Sequence, residues 1–284
     1  MSRVDEELAE QRASNSSGLA YFDDFRGHRE QLTALIRGTK PVGNGERLCV
    51  LGAGNAYDLQ LEELLLSFSE VHLVDIDSAA VTRARERVEP GARARLFVHA
   101  PLDLSGMFQD LERWRRMEVT PQELMVAPSV GAKRIAAALP GPFDLVVSSC
   151  LLTQLQLTLL RVLGDRHQLF AALRELLTLT HLRTLSLLTA PGGRSLLVTD
   201  LCDDTVFGPG RPRDADDLRA LMNELLQAGQ VIYSAHPELL QITLRDDPVL
   251  QRTFEPAQRS APWLWQNGPD RRFLVYALTL PRTG

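Results

Sequence analysis

The sequence predicts an α/β protein built on a doubly wound, mostly parallel sheet of seven strands, with helical additions and a C-terminal antiparallel hairpin. Three observations carry this. Short continuous apolar runs alternate with stretches of helical periodicity. A glycine-rich turn follows the first run directly. The chain closes on two strand-like segments joined by a turn signal, rather than on another strand–helix unit.

The runs come in order. Arg47-Leu-Cys-Val-Leu51 is the first, and VHLVDID (71–77) is the second. ARLFVHAPLDL (94–104), FDLVVSS (143–149) and RSLLVTDL (194–201) follow. Runs that are apolar without alternation are buried on both faces, which is the signature of a parallel sheet covered by helices. LQLEELLLSF, SAAVTRARERV and a leucine-rich stretch from about Leu157 to Leu188 supply helices between them. The segment 105–140 is longer than one crossover needs and predicts two helices, around Met107–Met117 and Gln122–Leu139. After the fifth run, DADDLRALMNELLQAG predicts a helix capped by Asp214. HPELLQITLR and DPVLQRTF predict two more, the second opened by Asp247 as cap and Pro248 at the first helical position. PWLWQ, the turn Asn267-Gly268-Pro269-Asp270 and RFLVYALTL form the hairpin.

At the other end, residues 1–18 finish in ASNSSG and predict a polar, mobile stretch. LAYFDDFRGHREQLTALIR predicts a helix packed on one face, ended by KPVGNGE. Its aromatics Tyr21, Phe22 and Phe25 must bury somewhere. The ligand edge of the sheet is within reach, so residues 19–36 are expected as a lid.

Composition excludes several classes. With 284 residues, 44% hydrophobic, 24% charged and a net charge of −5, the chain is neither disordered nor collagenous. No uncharged apolar run has the roughly 18–20 residues of a membrane span. The opening MSRVDEELAEQR lacks the apolar stretch of a secretory leader. Cys49, Cys150 and Cys202 are few and scattered, which argues against a disulfide framework or a zinc site and makes the cytoplasm the expected compartment. Acidic charge and the absence of a basic–aromatic tract give no expectation of nucleic acid.

The chemistry sits in Val50-Leu-Gly52-Ala53-Gly54-Asn55-Ala56-Tyr57-Asp58. Glycines after a first strand let the backbone turn sharply and let a ligand approach the main chain. Asp75 ends the second strand about 20 residues on, where a carboxylate accepts ribose hydroxyls. Together they indicate an adenosine-containing cofactor. A dinucleotide fingerprint needs glycine at position 57, where this chain has Tyr57. The alternative G-x-G-x-G needs glycine at 56, and Ala56 is the milder departure, given negative φ there. Asp58, read as part of the first helical turn, would repel a pyrophosphate but not a phosphate-free sulfonium.

With VLGAGNAYDL, LVDID, LDL (102–104), FDLVVSSCLLTQL and PGGRSLLVTDL in this order and spacing, the sequence resembles the class I S-adenosylmethionine-dependent methyltransferases over about residues 44–284. The resemblance implies a Rossmann-like methyltransferase domain there, with residues 1–43 outside it and the helical insertion 105–140 within it. It implies S-adenosyl-L-methionine as cofactor. Gly52, Ala53, Gly54 and Asn55 would line its methionine and ribose portion; the lid expected over 19–36 would bring the Tyr21 hydroxyl to the polar methionine end. Asp75 would hold the ribose and Ile76 the adenine ring. Asp103, flanked by Leu102 and Leu104, would accept from the adenine amino group. Ser149 and Cys150 would border the transferring methyl. For a general base the candidates at the ligand edge are Asp200, Asp203 and His236. No metal is implied. The expected activity is transfer of a methyl group to N or O of a small molecule, by a monomer or homodimer without nucleic acid or membrane. A protein or peptide acceptor, or a non-catalytic cofactor-binding subunit, are the alternatives.

Overall fold

The apolar runs become strands in the expected order. The computed structural model describes residues 3–41, 46–208 and 214–284. The break read at KPVGNGE, and with it the domain boundary at 43–44, lies mostly outside the described residues. The strands are β1 (Arg47–Leu51), β2 (Glu70–Val74), β3 (Leu96–His99), β4 (Phe143–Ser149), β5 (Thr189–Asp203), β6 (Gln258–Arg259), β7 (Trp263–Gln266) and β8 (Arg272–Pro281). They form one sheet in the order β3-β2-β1-β4-β5-β8-β6, with β7 also on β8. The first five pair in parallel, and β8 runs antiparallel to β5.

Eight strands occupy seven positions. β6 lies opposite Leu278 and Thr279, and β7 opposite Arg272–Val275, on the same edge of β8. Between them Pro262 has no N–H to offer a ladder. Ser260 patches the gap, its Oγ accepting from Ala277 N at 3.0 Å.

Twelve helices are described: α1 (Arg3–Ser17), α2 (Arg26–Thr39), α3 (Leu61–Ser67), α4 (Ser78–Arg87), α5 (Phe108–Arg115), α6 (Pro121–Ala137), α7 (Leu151–Leu163), α8 (Phe170–Leu188), α9 (Asp204–Phe207), α10 (Ala215–Gln227), α11 (Pro237–Asp246) and α12 (Leu250–Thr253). Thr120 opens α6 with a capping box closed by Glu123. Asp214 accepts from Asp216 N and Asp217 N at the start of α10, as the sequence predicts. Asp247 Oδ1 accepts from Val249 N and Leu250 N before α12. The leucine-rich stretch is two helices, because Gly164 at φ +82° ends α7.

Two expectations fail at the N-terminal side. The stretch read as mobile contains α1, a 15-residue helix. Its Glu, Leu, Ala, Gln and Arg are good helix formers, and Asp5 and Glu6 sit in the first turn, where the helix dipole favours acid. Val4 anchors it in the main core. The helix expected from residue 19 begins only at Arg26, after a short 3₁₀ turn over Gly18–Tyr21.

Strand residues alternate between two cores. Cys49, Leu51, Val146 and Leu197 face a layer that includes α7 and α8. Leu48, Val50, Leu145 and Leu196 face the layer holding α2, α3 and α4. Helices therefore cover both faces, and the carboxyl ends of β1, β2, β4 and β5 open on one edge.

Candidate active site

The turn after β1 has three left-handed residues, Gly52 (φ +75°), Gly54 (φ +48°) and Ala56 (φ +50°). Glycine is required at 52 for space as well, since a Cβ there would lie 2.9 Å from Leu151 Cβ. Ala56 departs from the expectation of negative φ. The conformation costs an alanine about 1–2 kcal/mol, and the loop's hydrogen bonds hold it: Ala56 N donates to Ala53 O at 2.7 Å, and Arg87 donates to Ala56 O at 3.0 Å. Ala56→Gly is therefore expected to stabilise the fold by about 0.5–1 kcal/mol, read as a shift in the urea midpoint at unchanged slope.

Most N–H groups of this loop are spent internally. Gly52 N and Ala53 N donate to Val74 O, and Gly54 N donates to Asp75 Oδ2 at 2.8 Å. A pyrophosphate cradle needs such donors free, so the loop fits a phosphate-free adenosyl cofactor better than a dinucleotide. Asp58 adds a carboxylate. It lies in the turn before α3 rather than in its first helical turn, and it accepts from Ser149 Oγ at 2.6 Å. Burial pushes its carboxyl up, while Ser149 pulls it down.

Asp75 is 5% exposed. Besides Gly54 N it accepts from Asp77 N at 2.8 Å, and burial raises its pKa. Asp77 caps α4, accepting from Ala79 N and Ala80 N. Ile76 is half-buried beside it. Asp103 caps the start of α5, accepting from Ser105 and from Phe108 N. Leu102 stays half-buried, its N–H on Asp75 O, whereas Leu104 turns into the main core.

Cys150 sits in the left-handed region at the corner between β4 and α7. Its thiol is pushed well up, first by burial and then by Asp200. Asp200, near the end of β5, is 8% exposed and takes a very short hydrogen bond from Thr153 Oγ1. Burial raises its carboxyl. Asp203 differs. Burial alone would raise it, but Thr205 and Arg271 hold it below the usual range. Both aspartates, with Cys150 and Thr153, line a cavity of about 1000 Å³. His236 is not among its lining residues. It stands at the start of α11 with Nδ1 buried and unpartnered.

The roof of this site comes from α1, not from residues 19–36. Asn15 donates to Asp77 Oδ2 at 3.0 Å and accepts from Asn55 Nδ2 at 2.7 Å. Glu7, Glu10 and Gln11 line the cavity from the same helix. The aromatics of 19–36 go to other partners. Phe22 packs edge-on against Tyr57, and Phe25 packs against Trp265. Tyr21 is 40% exposed and lies against Gly268 in the hairpin turn. Sequence reasoning thus missed α1 and Thr153. The signals for α1 were its helix-forming residues, the acids of its first turn and Val4 and Leu8 four residues apart. Thr153 carried none, because its partner Asp200 is 47 residues away.

No helix among the described residues is long and apolar enough to cross a membrane, and no metal-binding cluster occurs among them. No family model matches the chain, and no curated protein matches its sequence. Solved structures do align with it. An rRNA methylase from Streptococcus thermophilus is 10% identical, over 89% of this chain and 95% of its own, at TM-score 0.43. The N-methyltransferase NodS from Bradyrhizobium japonicum is 14% identical, over 93% and 97%, at 0.42. A geranyl diphosphate methyltransferase in complex with S-adenosylmethionine is 13% identical, over 89% and 85%, at 0.43. It is the strand order, with one antiparallel strand beside β5, that makes this a mostly parallel, doubly wound Rossmann-like sheet, the fold class the sequence predicts.

Proposed function

We propose that the protein transfers a methyl group from S-adenosylmethionine to an N or O atom of a small molecule. The observation that carries this is the cavity of about 1000 Å³ at the carboxyl ends of β4 and β5, holding the buried Asp200. That volume suits a small organic ligand, and α1 covers it, which disfavours an extended protein or peptide acceptor. Gly52–Asn55, Asp75 and Ile76 would hold the cofactor, which supplies an electrophilic methyl group when bound. Asp75 retains lone pairs for the ribose beyond its two backbone bonds. The chain's task is then to align the acceptor, exclude water and receive a proton. Asp200 is the base within the cavity; Asp203 is committed to Arg271 and Thr205, and His236 lies elsewhere. All three cysteines are free and buried, in keeping with action in the cytoplasm.

Calorimetric titration is expected to show binding of S-adenosylmethionine and S-adenosylhomocysteine and none of NAD. Binding of NAD alone would overturn the reading. Tight binding with no label transferred to any small-molecule extract would favour a non-catalytic subunit.

A further inference from the structure

The two ends of the cavity describe the methyl acceptor, and this step rests on the methyl-transfer reading above. α7 contributes Thr153, Gln156, Leu157 and Leu160 to the lining, a spacing that places them on one helix face. Thr153 holds Asp200 at one end. One turn further, about 5 Å along the axis, Gln156 is tied to α8, its Nε2 donating to Arg174 O and to Thr178 Oγ1, each at 3.0 Å. Asp200 and the Arg174 side chain line the same cavity, whose wall along α7 is tied to β5 by Thr153 and to α8 by Gln156.

Three arginines line the cavity. Arg161 pairs with Glu7 at 3.2 Å, and Arg271 with Asp203 at 2.9 Å. Arg174 has a longer ion pair, with Glu175 at 3.8 Å, and its guanidinium lies 3.6 Å from the centre of the Tyr233 ring. The ring fixes its plane without neutralising its charge. Arg174 Nε is buried without a partner. Two more orphans belong to lining side chains over nine-tenths buried: Gln156 Oε1 (7% exposed) and Ser234 Oγ (4% exposed). Buried polar atoms are nearly always satisfied, so three unpaired ones on side chains lining one cavity point to a polar ligand there.

Arg174 Nε–H and the Ser234 hydroxyl are donors suited to a carboxylate. Gln156 Oε1 adds an unpaired acceptor to the same lining. Phe170, Tyr233, Trp265 and Phe273 are also in the lining and suit a flat apolar body. We infer that the methyl acceptor is a small aromatic acid, with its carboxylate on Arg174 and Ser234 and its hydroxyl or amine on Asp200. The acceptor's lone pair forms the new bond to the methyl carbon. The carbon–sulfur bond breaks with its electron pair going to sulfur, and Asp200 takes the proton from the N or O atom.

The test uses the full chain saturated with S-adenosylhomocysteine. Calorimetry compares 4-hydroxybenzoate and 4-aminobenzoate with 4-hydroxybenzamide and 4-aminobenzamide. The acids are expected to bind about tenfold tighter than their amides. Arg174→Gln should abolish that preference and Arg174→Lys restore part of it, with S-adenosylhomocysteine affinity held within about threefold. Equal binding of acid and amide, no binding of either acid, or a preference that survives Arg174→Gln overturns the inference. If the wild-type chain takes up no S-adenosylhomocysteine, the methyl-transfer reading itself fails.

Discussion

Asp200→Asn is expected to lower kcat about 10²–10⁴-fold, the usual range for loss of a positioned base, while cofactor affinity stays near wild type. The same substitution is expected to stabilise the protein. Burial raises the Asp200 carboxyl above its unfolded value. The stability associated with that shift is present below the ordinary carboxylate pKa and is lost as pH rises through the raised one. At neutral pH the ionised group therefore works against the fold, and the neutral amide removes that penalty. The gain should appear as a rise in Tm. Activity should fall as pH drops through the raised pKa, because the base must be ionised to accept a proton. Thr153→Val removes the hydrogen bond that pulls this pKa down, so it should move the acid limb of the rate profile upward. Scanning calorimetry and kcat against pH check both halves. Wild-type kcat in Asp200→Asn would remove Asp200 from the chemistry.

Asp75→Ala carries the second large effect. Loss of two charge-assisted hydrogen bonds to the ribose should cost about 2–4 kcal/mol of cofactor affinity. An acid at a strand end, judged from sequence, needs no internal partner, so folding should hardly notice. The structure alters that expectation. Asp75 satisfies Gly54 N and Asp77 N, and each buried N–H left alone costs about 1–3 kcal/mol. The variant should lose about 2–6 kcal/mol of stability along with its affinity. Asp75→Asn keeps an acceptor oxygen and separates the two, folding better than Asp75→Ala yet binding cofactor weakly. Wild-type cofactor affinity in both variants would deny Asp75 the ribose.

These effects show which parts of the molecule were legible. β1, β2, β4 and β5 announced themselves because both their faces are buried, which leaves an uninterrupted apolar run. The caps Asp214 and Asp247 were readable because their geometry is local. α1 was not, since a polar helix anchored by Val4 and Leu8 looks like any acidic surface stretch until the cleft beneath it exists. The aromatics at 21, 22 and 25 were rightly read as needing partners. Which partners depended on Tyr57, Trp265 and Gly268, brought together only by the sheet. Ala56 misled for a related reason, because its backbone is held by Arg87, a side chain 31 residues away. The acceptor cavity was invisible throughout, being built where α1, α7, the end of β5 and residues 229–234 converge.

The broken edge position has a consequence for how copies of this chain meet. A long, straight outer strand is a template on which a second molecule can add its own backbone, the first step toward aggregation. Here one border of the sheet is interrupted at Pro262 into pieces of two and four residues, and the opposite border, β3, is four residues long. Neither offers a continuous row of free donors and acceptors. Self-association by extending the sheet is thereby discouraged on both sides, and any pairing of protomers is left to helical surfaces. The gap at Pro262 thus acts as a solubility device, guarding a sheet whose interior strands are almost wholly apolar.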